Sequence, residues 1–216
     1  GQLLAVTSAH GTSLAGTVSY TYDGLGRTLS ETDALGNVTA YEYDAAGQVL
    51  ARTMPLGNVT TYEYDQVGHR VLETDGNGHA TQYEYDDMDR LVRTIAPDGT
   101  TLRYTYDAAG RMVDTIDELG RVTRREYDPA GRLIETTRAY GTSDASATRY
   151  QYDLAGRRVG VTDALDHTTT YVYDEASRLV GEEFRDGGGI PLSQSAYTYD
   201  AAGNRLSETV GGVTTE

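Results

Sequence analysis

One stride governs this chain. The motif Tyr-x-Tyr-Asp, or a close variant, recurs nine times, with its second tyrosine at Tyr22, Tyr43, Tyr64, Tyr85, Tyr106, Tyr127, Tyr152, Tyr173 and Tyr199. The spacing is 21 residues five times in succession, then 25, 21 and 26. An aspartate follows each: Asp23, Asp44, Asp65, Asp86, Asp107, Asp128, Asp153, Asp174 and Asp200. The first tyrosine is Tyr20, Tyr41, Tyr62, Tyr83, Tyr104, Tyr150, Tyr171 and Tyr197, and Arg125 replaces it in the remaining copy. Of the 18 tyrosines only Tyr140 stands outside the motif. A catalytic constellation is used once or twice, so a device used nine times is one that builds.

The rest of the unit is as regular. Three residues after each turn position stands an aliphatic side chain: Leu4, Leu29, Leu50, Val71, Val92, Val113, Ile134, Val159, Val180 and Leu206. A threonine follows three positions later in most copies, at Thr32, Thr53, Thr74, Thr137, Thr162 and Thr209. Asp-x-x-Gly closes both ends of the unit, because the carboxylate can accept a hydrogen bond from the backbone two residues on and Gly takes the positive φ. Between the turns lie about seven residues, roughly 20 Å of strand. Thr39, Tyr41 and Tyr43 alternate with Val38, Ala40 and Glu42, the period-two signature of a sheet with two different faces. The pattern predicts two short antiparallel strands per unit and no helix. A parallel β-solenoid with one coil per repeat is the competing architecture, and two tight turns per unit argue against it.

Tyrosine suits such a sheet. Neighbouring copies bring the rings into register, where they are expected to stack in ladders, each pair contributing about 0.5–1.5 kcal/mol beyond burial. The phenol oxygen can reach water or a backbone group at the edge of a thin layer. With one Phe, no Trp and 38% hydrophobic residues, the chain has little with which to fill a thick core. The residue between the two tyrosines is Glu42, Glu63, Glu84 or Glu126 in four copies and Gln or Thr in four more, so that face is expected to be wet. About twenty strands at ~4.8 Å each would span roughly 95 Å if flat, and open sheets of more than ~10 strands curl. A single array over 1–216 coiled into a spiral wall is expected. The chain begins in mid-repeat, where Gly1, Leu3, Leu4, Thr7 and Gly11 match the unit, and stops in mid-repeat at Glu216. It reads as a piece of a longer wall.

Three departures stand out. Longer hairpins are expected around Ala139–Thr148 and Phe184–Ala196, whose loops can reach a partner. Asp89, Asp166 and Ser177 stand where Gly is usual. Aspartate tolerates the left-handed region, whereas Ser177 predicts a different local turn.

The net charge is -15 and all 18 basic residues are arginine, a balance that repels phosphate backbones and anionic membranes. A cationic partner is permitted. There is no cysteine, hence no disulfide and no thiol chemistry. No apolar run approaches a membrane span and no signal or lipidation motif is visible. The nine motif aspartates read as turn caps. His10, His69, His79 and His167 lack metal-ligand spacing. Serine-nucleophile, phosphate-loop, zinc and calcium-nonapeptide patterns are not found. No catalytic, cofactor-binding or metal residue is therefore expected.

The stretches "YEYDAAGQVLARTMPLGNVTTYEYD" and "YTYDAAGRMVDTIDELGRVT" resemble the RHS, or YD-repeat, family along the whole chain. The resemblance implies a β-sheet spiral closing into a hollow shell that in bacterial members encapsulates a C-terminal toxin. Related repeats occur in insecticidal toxin complexes, wall-associated proteins and teneurins. It also implies a secreted or surface-exposed bacterial protein, with the remainder of the shell, the enclosed toxin and a delivery-system protein as partners. An acidic wall suits a basic cargo. Self-cleavage is not carried over, since Asp128-Pro129 is followed by Ala-Gly-Arg-Leu rather than the family's plug motif. The alternative reading is a surface module whose tyrosine rows bind carbohydrate or a receptor.

Overall fold

The computed structural model describes residues 5–8 and 16–215; Gly1, Leu3, Leu4, His10, Gly11 and Glu216 lie outside the described residues. The chain forms two compact units, 1–103 and 104–216. In the first, the strands are β1 Ala5–Ser8, β2 Gly16–Tyr22, β3 Thr28–Thr32, β4 Val38–Tyr43, β5 Val49–Thr53, β6 Val59–Tyr64, β7 Arg70–Thr74, β8 Ala80–Tyr85 and β9 Leu91–Ile95. The unit boundary falls within β10 Thr101–Tyr106. The second unit continues with β11 Met112–Ile116, β12 Val122–Tyr127, β13 Leu133–Arg138, β14 Ser146–Tyr152, β15 Arg158–Thr162, β16 Thr168–Tyr173, β17 Leu179–Arg185, β18 Pro191–Tyr199, β19 Arg205–Val210 and β20 Val213–Thr215. No helix occurs among the described residues.

Each unit is an antiparallel meander of hairpins. From β1 to the start of β10 every strand pairs with the next in sequence, and β11 to β20 do the same. The parallel alternative is excluded. In one layer a side chain has a neighbour on either side and solvent above it. Among the described residues Ala51 is the one buried apolar residue, at 9% exposure, and no large side chain is fully buried. Cohesion must therefore come from links between adjacent strands.

Apart from the irregular 139–145 loop and the two-residue Gly211-Gly212 turn between β19 and β20, the described turns follow one geometry. The amide of the first turn residue donates to the carbonyl four residues on, and the amide of the fourth donates back, as in Asp107 N to Arg111 O at 2.9 Å and Gly110 N to Asp107 O at 3.0 Å. This is a type I turn closed by a left-handed residue, the three-residue hairpin loop. A left-handed fourth residue rather than the aspartate sets it: the turns at Met54 and Ala96 lack the carboxylate yet keep both bonds, with Gly57 at φ 84° and Gly99 at 86°, and Asp89 and Asp166 take the same place at 61° and 60°. Ser177 corrects the expectation of a different turn. Its φ is 63° and both turn hydrogen bonds form at 3.0 Å, because the flanking ladder fixes the backbone and the serine accepts the left-handed conformation.

The two insertions differ. Residues 139–145 form an irregular loop held by Thr142 N to Ala139 O and Tyr140 N to Val122 O. The other lengthens strands instead: β17 has 7 residues and β18 has 9, joined by an ordinary turn in which Gly189 N donates to Asp186 O at 2.9 Å.

A bulge recurs beside every described Tyr-Asp turn whose register is defined. Glu42 faces Ala51 and Tyr43 faces Val49, so Leu50 is the extra residue. The same shift makes Leu29, Val71, Val92, Ile134, Val159, Val180 and Leu206 the extra residue of their hairpins. The recurrent aliphatic position of the sequence is thus a bulge position.

Candidate functional site

The most elaborate arrangement of side chains lies where one repeat meets the next. Strand alternation puts both tyrosines of a motif on one face, and the intervening residue, exposed in every copy, on the other. The turn aspartate caps its own loop: Asp107 Oδ1 accepts from Ala109 N and Arg111 N, each at 2.9 Å. Its Oδ2 accepts from the Arg111 side chain, with Nε at 2.7 Å. The same pairing of an aspartate with the residue four positions on recurs for Arg27, Arg90, Arg132, Arg157 and Arg178.

That arginine then crosses to the next repeat. Arg27 Nη1 donates to Asp44 O at 2.8 Å, and its guanidinium sits 4.8 Å from the centre of the Tyr43 ring. Arg111, Arg132, Arg157 and Arg178 do the same to the carbonyls of Asp128, Asp153, Asp174 and Asp200 and to the rings of Tyr127, Tyr152, Tyr173 and Tyr199, at 4.9–5.0 Å. Seven of the nine second tyrosines answer with their hydroxyls, each donating to a carbonyl of the preceding repeat's bulge. The pairs are Tyr43 to Thr28, Tyr64 to Val49, Tyr85 to Arg70, Tyr127 to Met112, Tyr152 to Leu133, Tyr173 to Arg158 and Tyr199 to Leu179, at 2.7–3.1 Å. A bulge perturbs the ladder, and the phenol supplies a donor at that point.

This corrects the expected tyrosine ladder. The turn-anchored guanidinium lies against the second tyrosine of the next repeat, so that ring meets a cation rather than another ring. Where arginine is absent the link changes: Gln48 Nε2 donates to Gly68 O at 3.2 Å, and His69 stacks on Tyr85 with centroids 4.5 Å apart. The first tyrosines meet other arginines, Arg70 lying over Tyr62 and Tyr83, Arg158 over Tyr171 and Arg205 over Tyr197. Tyr20 packs at a tilt on Tyr22 of its own motif. Tyr41 in β4 faces Arg52 and Tyr150 in β14 faces Val161, while Tyr104 and Tyr106 lie in β10. The sequence carries a signal for the staple: six of the nine positions four after the motif aspartate are arginine.

On the opposite face, Asp114 in β11 is 9% exposed and pairs with Arg124 through two bonds of 2.8 and 2.9 Å. Tyr140 covers that guanidinium at 3.9 Å from its ring centre. The Arg124 hydrogen bonds hold the Asp114 carboxyl below its usual range, and the Asp114 bonds push Arg124 up. Side-chain bonds from Arg90 and Arg111 hold Asp86 and Asp107 low, while backbone bonds from Arg132 and Arg178 do most for Asp128 and Asp174. Burial pushes the Tyr43 and Tyr64 hydroxyls up. Carboxylates so engaged and so acidic are poor proton carriers at neutral pH. Among the described residues no His, Cys, Asp and Glu cluster could hold a metal, and no helix could cross a membrane.

Fold and linkage together define a repeat protein of stapled hairpins. The sequence model of the RHS Repeat family matches residues 22–59, 43–80, 64–101, 89–118, 106–143 and 152–188, more than half of the chain. The chain belongs to the RHS repeat family. No curated protein sequence matches it. Its fold is similar to that of a chain in the crystal structure of TcdB2-TccC3-TEV, with a TM-score of 0.78 and 20% identity over 96% of this chain. It is also similar to a chain of the Photorhabdus luminescens Tc holotoxin pore, with a TM-score of 0.59 and 18% identity over 91% of this chain. The chain spans 12% and 13% of the length of those two chains.

Proposed function

We propose that this chain is a segment of the wall of an RHS shell that encloses a C-terminal toxin or effector domain of a secreted bacterial protein. The observation that carries the reading is the recurrence of inter-repeat staples within each unit, on single-layer hairpins whose fold is similar to that of a chain in the TcdB2-TccC3-TEV structure over 96% of this chain. A wall needs strength along its length and no thick core, which is what staples between adjacent repeats provide. The segment has no chemistry of its own: its motif aspartates are used in turn caps and side-chain pairs. Its partners are the rest of the shell and the cargo, with a delivery protein engaging the assembled particle. The charge of -15 favours a basic cargo. Carbohydrate recognition by the tyrosine rows is the weaker reading, since guanidiniums already cover ring faces that a sugar would use. Cryo-electron microscopy of the full-length protein is the test. A hollow particle with density inside, and cargo resistant to protease until the wall is cut, supports the reading; a solid rod with no cavity overturns it.

A further inference from the structure

At one place the tyrosine row is broken, and the break leaves a recess. Arg125 in β12 stands where eight other copies carry the first tyrosine. Beside it lies a depression of about 430 Å³ whose lining includes Asp107, Arg111, Val113, Arg125 and Tyr127, with the Asp107 carboxylate engaged by its own turn and by Arg111. Arg124 and Glu126 also border it, but strand alternation directs their side chains to the other face. Arg111 is committed to Asp107, Asp128 O and the Tyr127 ring.

Arg125 is not committed in this way. Among the described residues it is the one half-buried arginine with no carboxylate partner; the other half-buried arginines are all ion-paired. Its one hydrogen bond runs from Nη1 to Thr115 Oγ1 at 2.9 Å. That leaves the Nε and Nη2 edge open, the edge that Arg132 uses on Asp128. A guanidinium partly withdrawn from water, with its two-donor edge unused, matches a carboxylate.

We propose that the Arg125 recess is a binding site for a carboxylate carried on a ring-sized apolar body, the acid on the Nε/Nη2 edge and the body against Val113 and Tyr127. The inference does not depend on the shell reading. It is tested by titrating the full chain, labelled at arginine Nε, with benzoate and with benzamide as the neutral isostere. A saturable shift of the Arg125 signal and of the neighbouring Arg111 signal with benzoate alone is expected; followed at Arg111, the affinity is at least about tenfold weaker in Arg125→Gln. Arg125→Tyr, which restores the repeat and should keep the fold, loses the shift as well, and Arg52→Gln retains it. Equal responses to benzoate and benzamide, or unchanged benzoate binding in a folded Arg125→Gln, overturn the proposal. A blocked peptide carrying adjacent Glu and Phe distinguishes the source: binding tighter than benzoate assigns the site to an acidic protein segment, weaker binding to a free acid.

Discussion

Ser177 holds a φ of 63° in a turn that seven of the nine Tyr-Asp loops close with glycine. The left-handed region costs a non-glycine residue about 1–2 kcal/mol, and most for a β-branched one. Ser177→Gly should therefore raise the unfolding free energy slightly, by about 0.5 kcal/mol once the extra freedom of the unfolded chain is counted, while Ser177→Val should lower it by about 1–2 kcal/mol. Equilibrium urea unfolding of the two variants checks the sign and the gap. Residue-level chemistry was largely legible in the sequence wherever it is local. Asp-x-x-Gly fixes its turn within four residues, so the carboxylate caps could be read directly. The role of Arg27 or Arg132 could not, since the ring and carbonyl each contacts lie 16–21 residues away and depend on strand register. Ser177 shows the converse, a local preference overruled by the ladder on both sides.

A hairpin's hold on its neighbour depends on which side chain stands four residues after the turn aspartate. Gln48 makes one hydrogen bond to the next turn, whereas arginine at the equivalent place adds a charge-assisted carboxylate pair, a carbonyl contact and a ring contact. Gln48→Arg should extend the staple to Asp65 O and the Tyr64 ring and stabilise the chain by about 1 kcal/mol. A thermal melt showing no gain, or a loss, would count against that geometry. The carboxylates give a second handle. Asp86, Asp107, Asp114, Asp128 and Asp174 have pKa values lowered on folding from 3.8. A lowered folded pKa contributes stability above the unfolded value and loses it as pH falls through the folded one. The urea midpoint should drop below about pH 4, and less so in Asp107→Asn than in the parent chain. At this scale the strands were legible, because period two and the turns bound them. The bulge was not: a recurrent aliphatic residue reads as a packing position, and only the observed register shows that it is the extra residue of its hairpin.

Each compact unit is an array without a central core, so the whole chain's stability should be the sum of its repeats and the links between neighbours. The array itself could be read from the stride of 21, and the missing thick core from the scarcity of Phe and Trp. What composition could not reveal was the partner of each ring, since tyrosines aligned at a constant stride imply stacking on one another until the arginines are placed. The staples also explain how the chain holds a long sheet without lysine: arginine alone offers a fork for the aspartate, a further donor for the next carbonyl and a flat face for the ring. The central claim is tested most directly by removing one whole period. Deleting residues 44–64 joins Tyr43 to Asp65 and preserves every neighbouring motif, and urea unfolding of the shortened chain is then compared with the parent. If the repeats are held by nearest-neighbour links, the product folds, with an m-value lower by about a tenth, the share of 21 residues in 216. If the shortened chain cannot fold, stability resides in contacts beyond adjacent repeats, and the stapled array is contradicted.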